Sequence, residues 1–203
     1  MKIKKEILTL FMLLACLFAY GQSNKQAMTI LDKCLKKTNI QSGLSANFTI
    51  SSKSYGKTSG STLLKGNKFK VITPESTIWF NGKTQWTYLK ATDEVNITTP
   101  NSSEWLALNP YSFISLYKQG YSATPKTINN TYQVHLKATS KTKNIQELYL
   151  LIGKDYSLRQ VKLLHGKEWI TLTITSLKST KLSDTVFVFN KKDYPKAEII
   201  DLR

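Results

Sequence analysis

Cysteine, histidine, arginine and long apolar runs are all scarce in this 203-residue chain, and each scarcity removes a class of function. The two cysteines are Cys16 and Cys34, and Cys16 falls in an N-terminal apolar leader, so a processed chain keeps Cys34 without a disulfide partner. Cys34 lines up with Ala27, Leu31, Leu35 and Thr38 at helical spacing, which makes it a small buried hydrophobe in preference to a reactive thiol. The histidines, His135 and His165, stand in separate strand-like runs with no second histidine or cysteine at ligand spacing, so no metal ligands are assigned. Only Arg159 and Arg203 among the 29 basic residues are arginines, and the formal charge of +16 rests on lysine. Lysine is a hydrated point charge without the planar fork that reads phosphate or guanine in paired contacts. Lys53, Lys57, Lys65, Lys68, Lys70, Lys137, Lys141 and Lys143 are also dispersed along the chain. That pattern describes a solvated outer face, with weak attraction to anionic lipid surfaces as the second reading, and it argues against a nucleic-acid partner.

Catalytic constellations are missing as well. There is no Gly-x-Ser-x-Gly elbow, no Ser-x-x-Lys in a helical setting and no glycine-rich phosphate loop. Asp93-Glu94 is the one adjacent acidic pair, and neighbours in a strand point to opposite faces, so it makes a poor acid/base couple. No catalytic residue or cofactor is assigned, and the expectation is a non-enzymatic protein.

The one long apolar run, Ile7 to Tyr20, follows Lys2, Lys4 and Lys5 and precedes the small residues Ala19 and Gly21. This is a signal-peptide pattern over residues 1–21, with a cut before Gln22; the run is shorter than the roughly 20 residues that span a bilayer. Leu13-Leu14-Ala15-Cys16 offers a lipobox as the alternative, but Leu17 to Tyr20 stay apolar where a lipoprotein normally turns polar. Residues 22–203 then form a single exported domain, since no Pro/Ser/Gly-rich linker interrupts them.

What the chain has in abundance is alternation. Tyr132 to Ala138 places an apolar side chain at every second position, and Leu148–Ile152, Val161–His165 and Ile170–Ile174 continue a meander of strands. Ala46, Phe48 and Ile50 alternate with polar residues, as do Phe69 and Val71, with Gly56, Gly60 and Gly66 as breakers in the segments between them, and Val95 and Ile97 suggest another strand; Val186 to Phe189 suggest a final long strand. Two helices punctuate them. Residues 24–38 carry Ala27, Ile30, Leu31, Cys34 and Leu35 on one stripe. Asn109-Pro110 opens a shorter segment bearing Phe113, Leu116 and Tyr117 and closing at Gly120. Between them, Ile78 to Tyr88 reads as a hairpin about a type I′ turn at Asn81-Gly82, with Trp79 opposite Thr84 and Trp79, Trp86 and Tyr88 on one face. Ile78 and Phe80 face the other way, so both faces are apolar and one needs a cover.

Gly66-Asn67-Lys68-Phe69-Lys70-Val71, Pro74 and Phe80-Asn81-Gly82-Lys83-Thr84-Gln85-Trp86-Thr87-Tyr88, with the ending Phe187-Val188-Phe189, Tyr194-Pro195 and Ala197 to Arg203, resemble in their order the LolA family of periplasmic lipoprotein carriers. The resemblance implies a mainly β fold with helices: an incomplete, strongly curved antiparallel β-barrel covered by an N-terminal helix and a central helical lid. It implies a monomeric carrier that shelters lipoprotein acyl chains between the inner and the outer membrane. Its partners would be lipoproteins, an inner-membrane lipoprotein-releasing transporter and, where one exists, an outer-membrane receptor. Phe48, Ile50, Phe69, Val71, Trp79, Trp86 and Tyr88 are the expected cavity wall, and Phe113, Leu116 and Tyr117 the lid. Where many relatives carry a lid-latching arginine, this chain offers Lys68 and Lys70. A sensor or adaptor of the same fold and a secreted hydrolase are the rival readings.

Overall fold

The computed structural model describes residues 23–38, 40–54, 56–100 and 111–203. The expected leader, with Cys16 and the cut before Gln22, lies outside the described residues, as do Asn109 and Pro110. Helix α1 covers residues 23–37 and buries Ala27, Ile30, Leu31 and Cys34, the i, i+3, i+4, i+7 stripe that a 3.6-residue period puts on one side. At its end Thr38 donates its hydroxyl to the Cys34 carbonyl at 2.6 Å.

Twelve strands form one sheet: β1 (Leu44–Ser52), β2 (Gly56–Lys65), β3 (Lys68–Ile72), β4 (Ser76–Phe80), β5 (Gln85–Leu89), β6 (Glu94–Thr98), β7 (Tyr121–Ile128), β8 (Thr131–Ala138), β9 (Ile145–Gly153), β10 (Leu158–His165), β11 (Glu168–Ser179) and β12 (Glu198–Asp201). Their order is β12-β6-β5-β4-β3-β2-β1-β11-β10-β9-β8-β7, with β12 and β7 as unjoined edges. All neighbours are antiparallel except β12, which runs parallel to β6. An open twisted sheet of more than about ten strands curls, and the irregularity between Asn47 and Phe48 opposite β11 adds local bend, so the result is an unclosed barrel.

Directly opposed residues share a face, so the register divides the sheet. Leu64 pairs with Phe69, Phe69 with Phe80, and Val71 with Ile78. Phe48 lies opposite Gly60 and Ile174, and Ile50 opposite Leu172. Beyond β11 the same face continues through Val161, Leu150 and Val134. This continuous apolar surface packs against α1 and against α2 (Ser112–Ser115) as one core.

Three local expectations differ from the structure. The hairpin pairs Trp79 with Trp86 instead of Thr84. Only Gly82 in its turn has a positive φ, +97°, and the Asn81 side chain accepts from the Lys83 and Thr84 amides at 3.0 and 2.9 Å, so the turn centres on Gly82-Lys83. The slip of two leaves every side chain on its expected face. The segment Val186–Phe189 is not a strand; Asp184–Phe187 make a 3-10 turn capped by Ser183, because this stretch crosses over the sheet with no free edge beside it. β2 runs through Gly60, which reads as a breaker, because a Cβ there would collide with the Ile72 carbonyl and the Phe48 ring.

Candidate functional site

Among the described residues, the face under the helices is an extended apolar surface covered by helical segments. Phe48, Phe69 and Val71 are buried on it and Ile50 is partly buried, beside Leu64, Phe80 and Ile78, which sequence reasoning left out of the wall. The described residues of the expected lid form α2, four residues long, and a 3-10 turn Leu116–Lys118, followed by Gly120 with φ +82°. Phe113, Ile114, Leu116 and Tyr117 are all buried in the core it shares with α1 and the sheet. Neither helical segment has a side-chain cap, so the lid is held mostly by this apolar contact.

A polar tether adds to it. The Tyr117 hydroxyl donates to the Asp32 carboxylate on α1 at 2.5 Å, and the Lys118 ammonium stands 3.8 Å from the same oxygen. Burial, then the bond to Asp32, holds the Tyr117 phenol well above its ordinary pKa. Among the described residues, Lys68 and Lys70 find their partners away from the lid. They lie on the opposite phase of β3, where Lys68 pairs with Asp184 at 2.7 Å and Lys70 stands over the Trp79 ring at 5.3 Å.

Trp79, Trp86 and Tyr88 are brought together, but on that opposite, outer face and away from Phe48, Ile50, Phe69 and Val71. The Trp79 ring meets Phe189 and Tyr194 at 5.5 and 5.6 Å, and Tyr88 meets Tyr194 at 4.6 Å. These aromatics dock the C-terminal segment on its way to the β6 edge. Outer depressions of about 700 Å³ around Trp79 and about 270 Å³ around Trp169 are lined by mixed polar and apolar groups. By contrast, no charged side chain is buried among the described residues. Among the described residues no cluster of three or more His, Cys, Asp or Glu could hold a metal. The titratable groups in the core under the helices, Cys34, Tyr111, Tyr117 and Tyr121, are all held in their neutral form by burial, so this face is apolar in character.

The comparisons with known proteins place this geometry. A crystal structure of an uncharacterized conserved protein from Thermus thermophilus aligns with 87% of this chain and 99% of its own, with a TM-score of 0.57 at 16% identity. A DUF1329 family protein from Desulfovibrio piger aligns over 82% of this chain and 97% of its own, with a TM-score of 0.51 at 11% identity. A LolA superfamily protein from Nitrosomonas europaea covers 80% and 97%, with a TM-score of 0.47 at 14% identity. No curated protein matches the sequence. The profile of the family described as "Outer membrane lipoprotein carrier protein LolA" matches residues 17–167, and the chain belongs to that family.

Proposed function

We propose that this protein is an exported, non-enzymatic carrier that shelters the acyl chains of lipoproteins on its helix-covered sheet face while they cross the periplasm. The observation that carries the reading is the lid: Phe113, Ile114, Leu116 and Tyr117 bury themselves on an apolar face from a four-residue helix and the 3-10 turn after it, with the Tyr117–Asp32 bond as a polar tether to α1. Burying four such side chains is worth roughly 6–12 kcal/mol. One 16-carbon chain, at about 0.8 kcal/mol per methylene, offers roughly 12 kcal/mol for the same surface. The two occupants are nearly matched, so a lipid can displace the lid and the lid can expel the lipid. A carrier needs that finite affinity, because its cargo must leave. Loading from an inner-membrane lipoprotein-releasing transporter and delivery to the outer membrane complete the role.

Native mass spectrometry of the protein purified from its own periplasm tests it. The expected spectrum contains adducts of acylated peptide or lipid mass. Apoprotein alone, together with no uptake of an added fatty-acyl probe, would reject the carrier.

A further inference from the structure

At one rim of the covered face, α1 meets the β9–β10 turn, and the side chains there are graded from apolar to cationic. Tyr132 and Tyr156 pack against the core and stack on each other, with ring centroids 5.8 Å apart and 19° between planes. Tyr156 has φ +62°, a left-handed conformation that a bulky side chain holds only where its surroundings impose it, and such strain concentrates at binding sites. Its amide donates to the Gly153 carbonyl at 2.8 Å, and the Gly153 amide donates to the Ser157 carbonyl at 2.9 Å, which closes the turn tightly.

Two cations contact this stack and two more hold the adjoining Asp155. Lys33 donates to the Tyr156 hydroxyl at 3.2 Å and lies 4.9 Å from that ring's centroid, while Lys154 stands 3.8 Å over Tyr132. Lys37 reaches Asp155 at 2.8 Å, and Arg159 approaches it at 3.7 Å. The Arg159 guanidinium lies so close to Gly153 that a Cβ there would meet it at 2.7 Å. The Asp155 carboxylate is thus occupied by Lys37, Arg159 and Ser157. Lys33 and Lys154 keep aromatic and phenolic partners and, among the described residues, no ion pair. The Lys33 bond, followed by that from Tyr132, pulls the Tyr156 phenol below its ordinary pKa, as expected where positive charge is in excess.

We infer that this rim, built from Lys33, Lys154, Arg159, Tyr132 and Tyr156, binds the anionic, phosphate-bearing head of a lipid whose acyl chain lies on the covered face. The inference rests on the acyl-shelter reading and widens its cargo from lipoproteins to phosphate-bearing lipids. A tail beside the core, a glycerol region against the tyrosines and a head between two ammoniums that make no ion pair among the described residues reproduce the order of the protein's own groups. A free inorganic anion would use the ammoniums and leave the tyrosine stack and the adjoining apolar face without a role.

Binding of three ligands to the chain from residue 22 tests this: 1-palmitoyl-lysophosphatidylglycerol, 1-monopalmitoylglycerol and inorganic phosphate, each against the unaltered protein and the Lys33→Gln/Lys154→Gln variant. Both lysines are exposed and outside every ion pair among the described residues, so the variant should fold, and unchanged monopalmitoylglycerol binding serves as its control. The expected result is a preference of about tenfold for the phosphate-bearing lipid at low salt, shrinking as salt rises. In the variant the preference should fall below about twofold. Equal affinity for both lipids, or a preference that survives in the variant, overturns the head-group site and leaves the acyl shelter standing. Phosphate alone binding as tightly as the lipid overturns the lipid assignment. Failure of both lipids to bind overturns the acyl shelter itself.

Discussion

Replacing Tyr117 by Phe isolates the tether from the apolar contact. The ring remains buried in the core, and only the hydroxyl that reaches Asp32 at 2.5 Å is lost. A hydrogen bond to a charged group contributes about 1.5–3 kcal/mol in general. The Asp32 side chain is 50% exposed, so solvent screening brings the figure to about 1 kcal/mol. The Lys118 contact, at 3.8 Å and between exposed groups, offsets little of it. The lid-closed state should weaken by that amount, so an acyl ligand that needs the lid displaced should bind about fivefold tighter. Because burial keeps the phenol protonated far above neutrality, the gain should be the same at pH 6 and pH 9. Equilibrium titration with a fluorescent fatty-acyl probe measures it, and thermal unfolding should show a loss of only about 2–4 °C. Unchanged or weaker binding by a folded Tyr117→Phe protein would refute the idea that lid and lipid compete.

Phe69→Ala removes a fully buried ring from the covered face; it should cost about 3–5 kcal/mol in urea denaturation and weaken probe capture, whereas Trp86→Ala, on the outer face, should leave capture intact. Loss of capture in a folded Trp86→Ala protein would reverse the face assignment. Asp155 is held well below the ordinary carboxylate pKa, first by Lys37 and then by Ser157. Its stabilisation should therefore be complete above about pH 5 and erode as pH falls below about 3.9, so the stability gap to Asp155→Asn in urea denaturation, about 1 kcal/mol at pH 7, should narrow on acidification; a widening gap would contradict this. Burial pushes the Cys34 thiol up to about 12, so native protein at pH 8 should react with a disulfide reagent at least about 100-fold more slowly than urea-unfolded protein. Comparable rates would mean that α1 is not docked.

The helix over residues 23–37 and the meander from β8 to β11 were legible because each buries one side at a single period, 3.6 or 2. Phe48, Phe69 and Val71 follow from the same alternation. Periodicity shows which residues share a face and not what covers that face, and the β4–β5 hairpin is apolar on both. Its bulky aromatics drew Trp79, Trp86 and Tyr88 into the expected cavity wall, yet their partners are Phe189 and Tyr194, far along the chain. Ile78 and Phe80, the plainer pair, face the helices. Asp32 and Tyr117 carry no local signal either, since a contact across 85 positions depends on how α1 and the lid meet. The ending Glu198 to Asp201 looked family-like as text, but its parallel pairing with β6 depends on the path of the preceding segment over the outer face.

The claim that an acyl chain takes the lid's place is tested most directly by hydrogen exchange of residues 111–119, with and without one equivalent of bound monopalmitoylglycerol. The account predicts that lid amides such as Ile114 and Gln119, which donate to Tyr111 and Leu116 in the closed form, lose protection when the ligand binds while the β8–β10 amides keep theirs. Full lid protection at stoichiometric occupancy would contradict it.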